Sequence, residues 1–144
     1  MGKMLCVDPG DTRIGIAISD LSATLARPLS IIPHKSRNED AERIAKIAED
    51  NDVEMIIIGQ SLDENGEPTA QGRKSTRLMG VITSISNIPV LLWDEYRSTQ
   101  LAMEQRSIMG KSRNKREKPV DDEAAAMILQ DFLDHERDLA GSEN

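Results

Sequence analysis

The run Met55-Ile56-Ile57-Ile58 has no polar residue in alternate positions, and no other stretch constrains the fold as much. A strand with one wet face alternates apolar and polar side chains, so an unbroken apolar run belongs to a central strand covered on both faces. Gly59 closes it. Pro89-Val90-Leu91-Leu92-Trp93 reads as a second buried strand ending at Asp94-Glu95, and helical spacing over Ala70 to Ile85 lies between the two. Strand, helix, strand at this spacing builds a layered α/β domain.

The first part of the chain extends the same sheet. Met4-Leu5-Cys6-Val7 is stopped by the turn sequence Asp8-Pro9-Gly10-Asp11, and Ile14-Gly15-Ile16-Ala17-Ile18 follows, as in two strands joined by a tight turn. Leu29 to Ile32, bracketed by Pro28 and Pro33, makes a third strand, short or at an edge because proline cannot donate to a ladder. Asn38-Glu39-Asp40 opens a helix carrying Ala41, Ile44, Ala45 and Ala48 at helical spacing and ending near Asn51. After Trp93 come a short helix from about Ser98 to Ile108, a charged loop from Lys111 to Lys118, and a helix from Asp121 or Asp122 to about Asp138. The expected fold is a mixed five-stranded sheet with helices on both faces. It forms one domain over residues 1–139, followed by a polar tail at 140–144.

With aromatic residues at 2% of the 144, the core must be built from Ile, Leu, Val, Ala and the seven Met. That suits helices packed on a sheet better than an aromatic platform for stacking bases. A net charge of −7 argues against a protein that grips nucleic acid with its whole surface. Cys6 is the single cysteine and sits in an apolar run, so it reads as a buried small hydrophobe. No apolar stretch approaches the roughly 20 residues of a membrane helix, and Asp8 comes too early for a signal-peptide core. The expected location is cytoplasmic.

The acids fall where chemistry is done in such sheets. Asp8 ends the first strand, Asp94 and Glu95 end the last, and Asp121 opens the final helix. Ligands of open α/β sheets bind beyond strand ends, and carboxylates brought together there repel unless a cation lies between them. Oxygen-only ligands select Mg²⁺ or Mn²⁺, and a pair of such ions is the usual route to phosphodiester hydrolysis. Each acid also has a plainer role: Asp8 as a turn former, Asp121 or Asp122 as a helix cap, Asp94 and Glu95 as a solvated pair. No histidine nucleophile is needed, and His34 and His135 read as ordinary surface residues.

Four segments resemble the YqgF (RuvX-type) family. Asp8-Pro9-Gly10-Asp11-Thr12-Arg13-Ile14-Gly15-Ile16-Ala17 resembles its D-x-G-x-x-x-I-G-x-A opening, and Ile58-Gly59-Gln60-Ser61-Leu62-Asp63-Glu64-Asn65-Gly66-Glu67 its glycine loop. Asp94-Glu95-Tyr96-Arg97-Ser98-Thr99 resembles its D-E-R-x-[ST]-T motif, and Val120 to Gln130 its closing V-D-S-x-A-A-x-x-I-L-Q helix. They occur in the family's order and extend from Val7 to Gln130. The resemblance implies an RNase H-like fold and metal-dependent nuclease activity on structured RNA, such as an rRNA precursor, or on branched DNA. By motif, Asp8, Glu95 and Asp121 would be the catalytic metal ligands. Asp94 would ligate or orient Glu95, and Arg13 and Thr99 would contact phosphate. Tyr96 replaces the family's arginine, with Arg97 one place later; Gln60-Ser61 replaces Leu-Pro, and Asp122 replaces serine.

An acidic chain must concentrate positive charge locally to hold a polyanion. Arg73, Lys74 and Arg77 form one candidate group, and Lys111, Arg113, Lys115, Arg116 and Lys118 form another that leads into Asp121. The plainer reading of each is a solvated charged face. Two rival functions stand beside the nuclease. Asp8-x-Gly10-x-Thr12 is also similar to the first phosphate loop of sugar-kinase and actin-type ATPases, which need two such domains. A non-catalytic nucleic-acid-binding factor could keep the fold without the chemistry. Among nucleases, rRNA processing is favoured over junction cleavage, because no strongly apolar dimer surface is visible and a monomer or weak homodimer is expected.

Overall fold

In a computed structural model of the chain, the structure describes residues 2–94 and 121–142, with side chains described over 2–94 and 123–139. Strands β1 (Lys3–Pro9), β2 (Arg13–Ser19) and β3 (Ala26–Pro33) come first. Helix α1 (Arg37–Asp50), β4 (Val53–Gln60), α2 (Ala70–Ile85), β5 (Val90–Asp94) and α3 (Asp121–Ser142) follow. The sheet order is β3-β2-β1-β4-β5. β1 pairs antiparallel with β2 and β2 with β3, whereas β1–β4 and β4–β5 are parallel, as helical crossovers require.

Alternation along the strands sorts the core into two layers. Leu5, Val7, Ile14, Ile16, Ile18, Ile56 and Ile58 face one way and pack with Ile44, Ala48, Leu78 and Ile82 of α1 and α2. Cys6, Ala17 and Ile57 face the other way and pack under Ala125, Ile128, Leu129, Phe132 and Leu133 of α3. The apolar run in β4 therefore has the reason its sequence implied, with Ile56 and Ile58 serving one layer and Ile57 the other. Burying each such side chain contributes about 1.5–3 kcal/mol.

Several boundaries differ from expectation for identifiable reasons. β3 is an eight-residue edge strand, longer than Leu29 to Ile32. Pro28 stands opposite Ala17, where the register shifts, and an edge or bulge is where a strand tolerates proline. α1 starts at Ser36, whose hydroxyl accepts from the Glu39 N–H and donates to the Glu39 carboxylate, both at 3.1 Å; this reciprocal cap outweighs the Asn38 start. Thr69 caps α2 by accepting from the Gly72 N–H at 3.1 Å. β4 runs one residue past Gly59 to Gln60, and α3 continues to Ser142, beyond the expected Asp138. The expected Ser98–Ile108 helix and the Lys111–Lys118 loop lie outside the described residues. Among those described, no helix is long and apolar enough to cross a membrane.

Candidate active site

Asp8 lies near the C-terminal end of β1, the middle strand of the sheet, and is half-buried. It alternates with Cys6 and so belongs to the α3 face. Its partner on β2 is Gly15. On β4, Val7 is level with Ile58, so Asp8 is level with Gly59. Gly15 alternates with Ala17 and Gly59 with Ile57, which puts both glycines on the face that Asp8 occupies. The carboxylate is thus flanked on both neighbouring strands by residues with no side chain, each buried. A glycine inside a strand often marks a close backbone approach, and here two of them stand level with one acid on its face.

β5 brings its own acids to the same end. Ile58 is level with Leu92 and Gln60 with Asp94, so Trp93 is level with Gly59 and with Asp8, two strands or about 10 Å away. Trp93 packs on the α3 face, where its indole N–H donates to the Asp131 carboxylate at 2.9 Å and its ring meets Phe132 edge-on at 5.1 Å. Asp94 is out of phase with Trp93 and in phase with Leu92, so it falls on the face of α1 and α2. Its neighbour Gln60 faces the same way, the amide donating to Thr76 Oγ1 at 2.8 Å and to the Gly72 carbonyl at 3.2 Å. Glu95 lies outside the described residues, as do Arg97, Thr99, Lys111, Arg113, Lys115 and Arg116.

The backbone of Asp121 begins α3, and Ala125 one turn later is fully buried in the layer that contains Cys6 and Ile57. Among the described residues no three His, Cys, Asp or Glu side chains gather to hold a metal. Two of the four acids named from sequence, Asp8 and Asp94, have described side chains, and they fall on opposite faces. What the structure offers a divalent cation is therefore a half-buried carboxylate at a strand end, with a glycine level with it on each neighbouring strand, and oxygen as the donor. That fits Mg²⁺ or Mn²⁺ and not a soft metal.

The predicted cations separate. Arg73 turns back to the Pro68 carbonyl at 3.2 Å. Arg13 is exposed at the start of β2, and its carbonyl accepts from the Gly10 N–H at 2.9 Å. Lys74 reaches Asp11 at 3.2 Å, and Lys74 and Arg77 line a cleft between α2 and the Pro9–Ile14 turn. Sequence reasoning missed Arg37, Gln71 and His34 on that cleft's walls, because they converge only when the loop before α1 meets the turn. Both histidines lie at the surface or partly so, as expected, and each has a partner that the sequence does not show. His34 Nδ1 pairs with the buried Asp40 carboxylate, and His135 lies against the Trp93 ring at 5.2 Å. Gly15 and Gly59 did carry a signal, glycine within an apolar strand pattern, but only the strand register shows that they flank Asp8.

Residues 2–135 match the family model described as "RuvX: Holliday junction resolvase". A protein of Thermoanaerobacter pseudethanolicus named "Putative pre-16S rRNA nuclease" is 40% identical over 138 residues, covering 94% of this chain and 98% of its own length. A protein of the same name from Caldanaerobacter subterraneus subsp. tengcongensis is 39% identical over 137 residues, covering 94% and 98%. Among solved structures, RuvC of Thermus thermophilus in complex with a Holliday junction substrate superposes with a TM-score of 0.63 at 16% identity, covering 95% of this chain and 96% of that one. The fold is RNase H-like, as the motif resemblance implied.

Proposed function

The chain belongs to the RuvX family, and on that premise we propose that it is a divalent-metal-dependent nuclease that processes the 5′ end of pre-16S rRNA in the cytoplasm. The observation that carries this reading is Asp8, a half-buried acid at the end of the central strand with glycine on both flanks of the same face. A carboxylate at the end of a central strand can serve as an oxygen ligand to a hard cation.

Asp8, Glu95 and Asp121 would hold Mg²⁺ or Mn²⁺, which supplies an activated water and a counter-charge for the leaving oxygen of a phosphodiester. Asp8 is fixed by the ladder hydrogen bonds of β1 to both neighbouring strands, so its carboxylate is aimed before substrate arrives. Gly15 and Gly59 place no side chain of their own beside it. Trp93, bonded to Asp131, fastens the end of β5 to α3, and the chain reaches Glu95 two residues later. Asp94, on the opposite face from Asp8, takes the orienting role and not a ligand's. Arg13, Arg97 and Thr99 remain the candidates for phosphate contact at the acids. Arg73, Lys74, Arg77 and the basic run from Lys111 to Arg116 offset the chain's −7 charge where the polyanion lies. The protein acts as a monomer or weak homodimer.

The test incubates wild type and Asp8→Asn with Mg²⁺ or Mn²⁺ on a 5′-extended rRNA precursor and on a four-way DNA junction. Cleavage of the precursor by wild type, lost in Asp8→Asn, is expected. Equal cleavage by both proteins removes Asp8 from the chemistry. Cleavage of the junction alone would replace the rRNA substrate with branched DNA, and no cleavage in any metal would leave a nucleic-acid-binding protein.

A further inference from the structure

We propose that the cleft between the Pro9–Ile14 turn, the loop before α1 and the first turns of α2 binds a phosphoryl group of the nucleic acid, on the opposite side of the sheet end from Asp8. The ligand's identity rests on the nuclease reading; the site itself rests on charge and geometry. The cleft has a volume of about 240 Å³ and is lined by Arg37, Lys74 and Arg77, with Asp40 as its single acid. Asp40 is 3% exposed and is turned into its own loop, accepting from the Lys35 N–H at 3.0 Å and pairing with His34. Lys74 is shared with Asp11 at the rim. Arg37 and Arg77 have no ion-pair partner among the described residues. In a chain whose net charge is −7, this is a local excess of positive charge gathered from two elements.

The walls are joined to one another and so are built before a ligand arrives. The Gln71 amide donates to the Pro9 carbonyl at 2.7 Å, tying α2 to the turn. The His34 N–H donates to the Thr12 carbonyl at 2.9 Å, tying the loop before α1 to the same turn. Within the turn, a Cβ on Gly10 would lie 2.5 Å from the Arg13 carbonyl oxygen, so only glycine lets the chain close that tightly. A preformed concavity loses little order on binding, and two guanidinium groups beside an ammonium match the oxygens of a phosphoryl group. Pro9, whose carbonyl is held at the cleft, directly follows Asp8. A strand anchored here passes around the sheet end onto the face with the acid, which sets the distance between a held phosphate and the bond cut.

The experiment measures binding of the full chain to a short single-stranded RNA by fluorescence anisotropy in EDTA, across a salt series, with the RNA carrying a 5′-phosphate or a 5′-hydroxyl. Arg37→Gln combined with Arg77→Gln should weaken binding about tenfold and lower the salt slope by about one, as loss of one phosphate contact requires. Lys46→Gln combined with Arg137→Gln removes the same charge from α1 and α3 outside the cleft and should change affinity less than about twofold. If removing the 5′-phosphate weakens wild type and leaves the cleft variant unaffected, the ligand is the terminal phosphate. If the 5′ end is immaterial while the cleft variant still loses affinity, it is a backbone phosphate. Equal losses in the two double variants would show a general charge effect and overturn the site, as would full affinity in the cleft variant. Because no cleavage is needed, a protein that binds through the cleft but does not cut fails only the nuclease reading. One that cuts with an indifferent cleft fails only this proposal.

Discussion

The two faces of the sheet are covered differently. On one, α1 and α2 lie over a layer of Leu5, Val7, Ile16, Ile18, Ile44, Ile56, Ile58 and Ile82, with no aromatic residue in the cluster. On the other, among the described residues, α3 lies over Cys6, Ala17 and Ile57, with Trp93 and Phe132 packed at one end. Two helices over large aliphatic side chains make a thick layer that supports stability. One helix over Cys6, Ala17 and Ile57 makes a thinner layer among the described residues, and the sheet end carrying Asp8, Gly15 and Gly59 lies on that side. The first face carries most of the buried aliphatic side chains, and the second is the one on which the proposed chemistry would lie.

Substitutions can break that division of labour. The largest effect is expected from Ile44→Ala, which empties a fully buried position in the thick layer. It should cost about 2–5 kcal/mol in urea unfolding while the cleavage rate per folded molecule stays near wild type. A matching loss of rate would mean that the two faces are not separable. Ala17→Leu, overpacking the thin layer under α3, should cost about 1–3 kcal/mol and also slow cleavage, because α3 leads from Asp121.

Trp93→Phe keeps the ring against Phe132 and loses the bond to Asp131. A stability change of about 1 kcal/mol is expected. The rate should fall about tenfold, because the end of β5 is what carries the chain to Glu95. An unchanged rate would take the positioning role away from the indole.

The smallest effect lies at the far end of β2. The Asp20 carboxylate accepts from the Thr24 N–H at 2.8 Å, the Leu25 N–H at 3.2 Å and the Ser22 hydroxyl at 3.0 Å. Those bonds, Thr24 first and Leu25 next, hold its pKa below the usual carboxylate value. A lowered folded-state pKa contributes stability that is present above the unfolded value and is lost as pH falls through the folded one. The stability difference between wild type and Asp20→Asn should therefore be constant near neutrality and shrink below the ordinary carboxylate range. Cleavage should not respond, since Asp20 follows the β2 end opposite Gly15; a change in rate would contradict that separation.

Local patterns in the chain are sufficient for the existence and order of the strands and for α2, whose bounds Ala70 and Ile85 follow from apolar spacing. Alternation cannot say how far an edge strand extends past its prolines, so the pattern marks only Leu29 to Ile32 of β3. Helix starts were harder where several oxygen-bearing residues cluster, and the Ser36–Glu39 cap lay two residues before the Asn38 start. Asp8 was legible because strand end, turn and acid coincide in sequence. Its flanking glycines depend on the register between strands, and the convergence of Arg37 with Lys74 and Arg77 depends on two loops meeting. Neither is a property of any one segment. The opposite faces of Asp8 and Asp94 follow from alternation, but only after β5 is placed with Trp93 against α3.

The proposed divalent cation lies at Asp8, on the α3 side of the sheet end. Titrating Mn²⁺ into the ¹⁵N-labelled full chain and recording amide spectra tests it without any substrate. Paramagnetic broadening should centre on Asp8, Gly15 and Gly59, reverse on adding excess Mg²⁺, and vanish in Asp8→Asn. The same broadening in Asp8→Asn, or broadening centred away from the Asp8 end of the sheet, would contradict it.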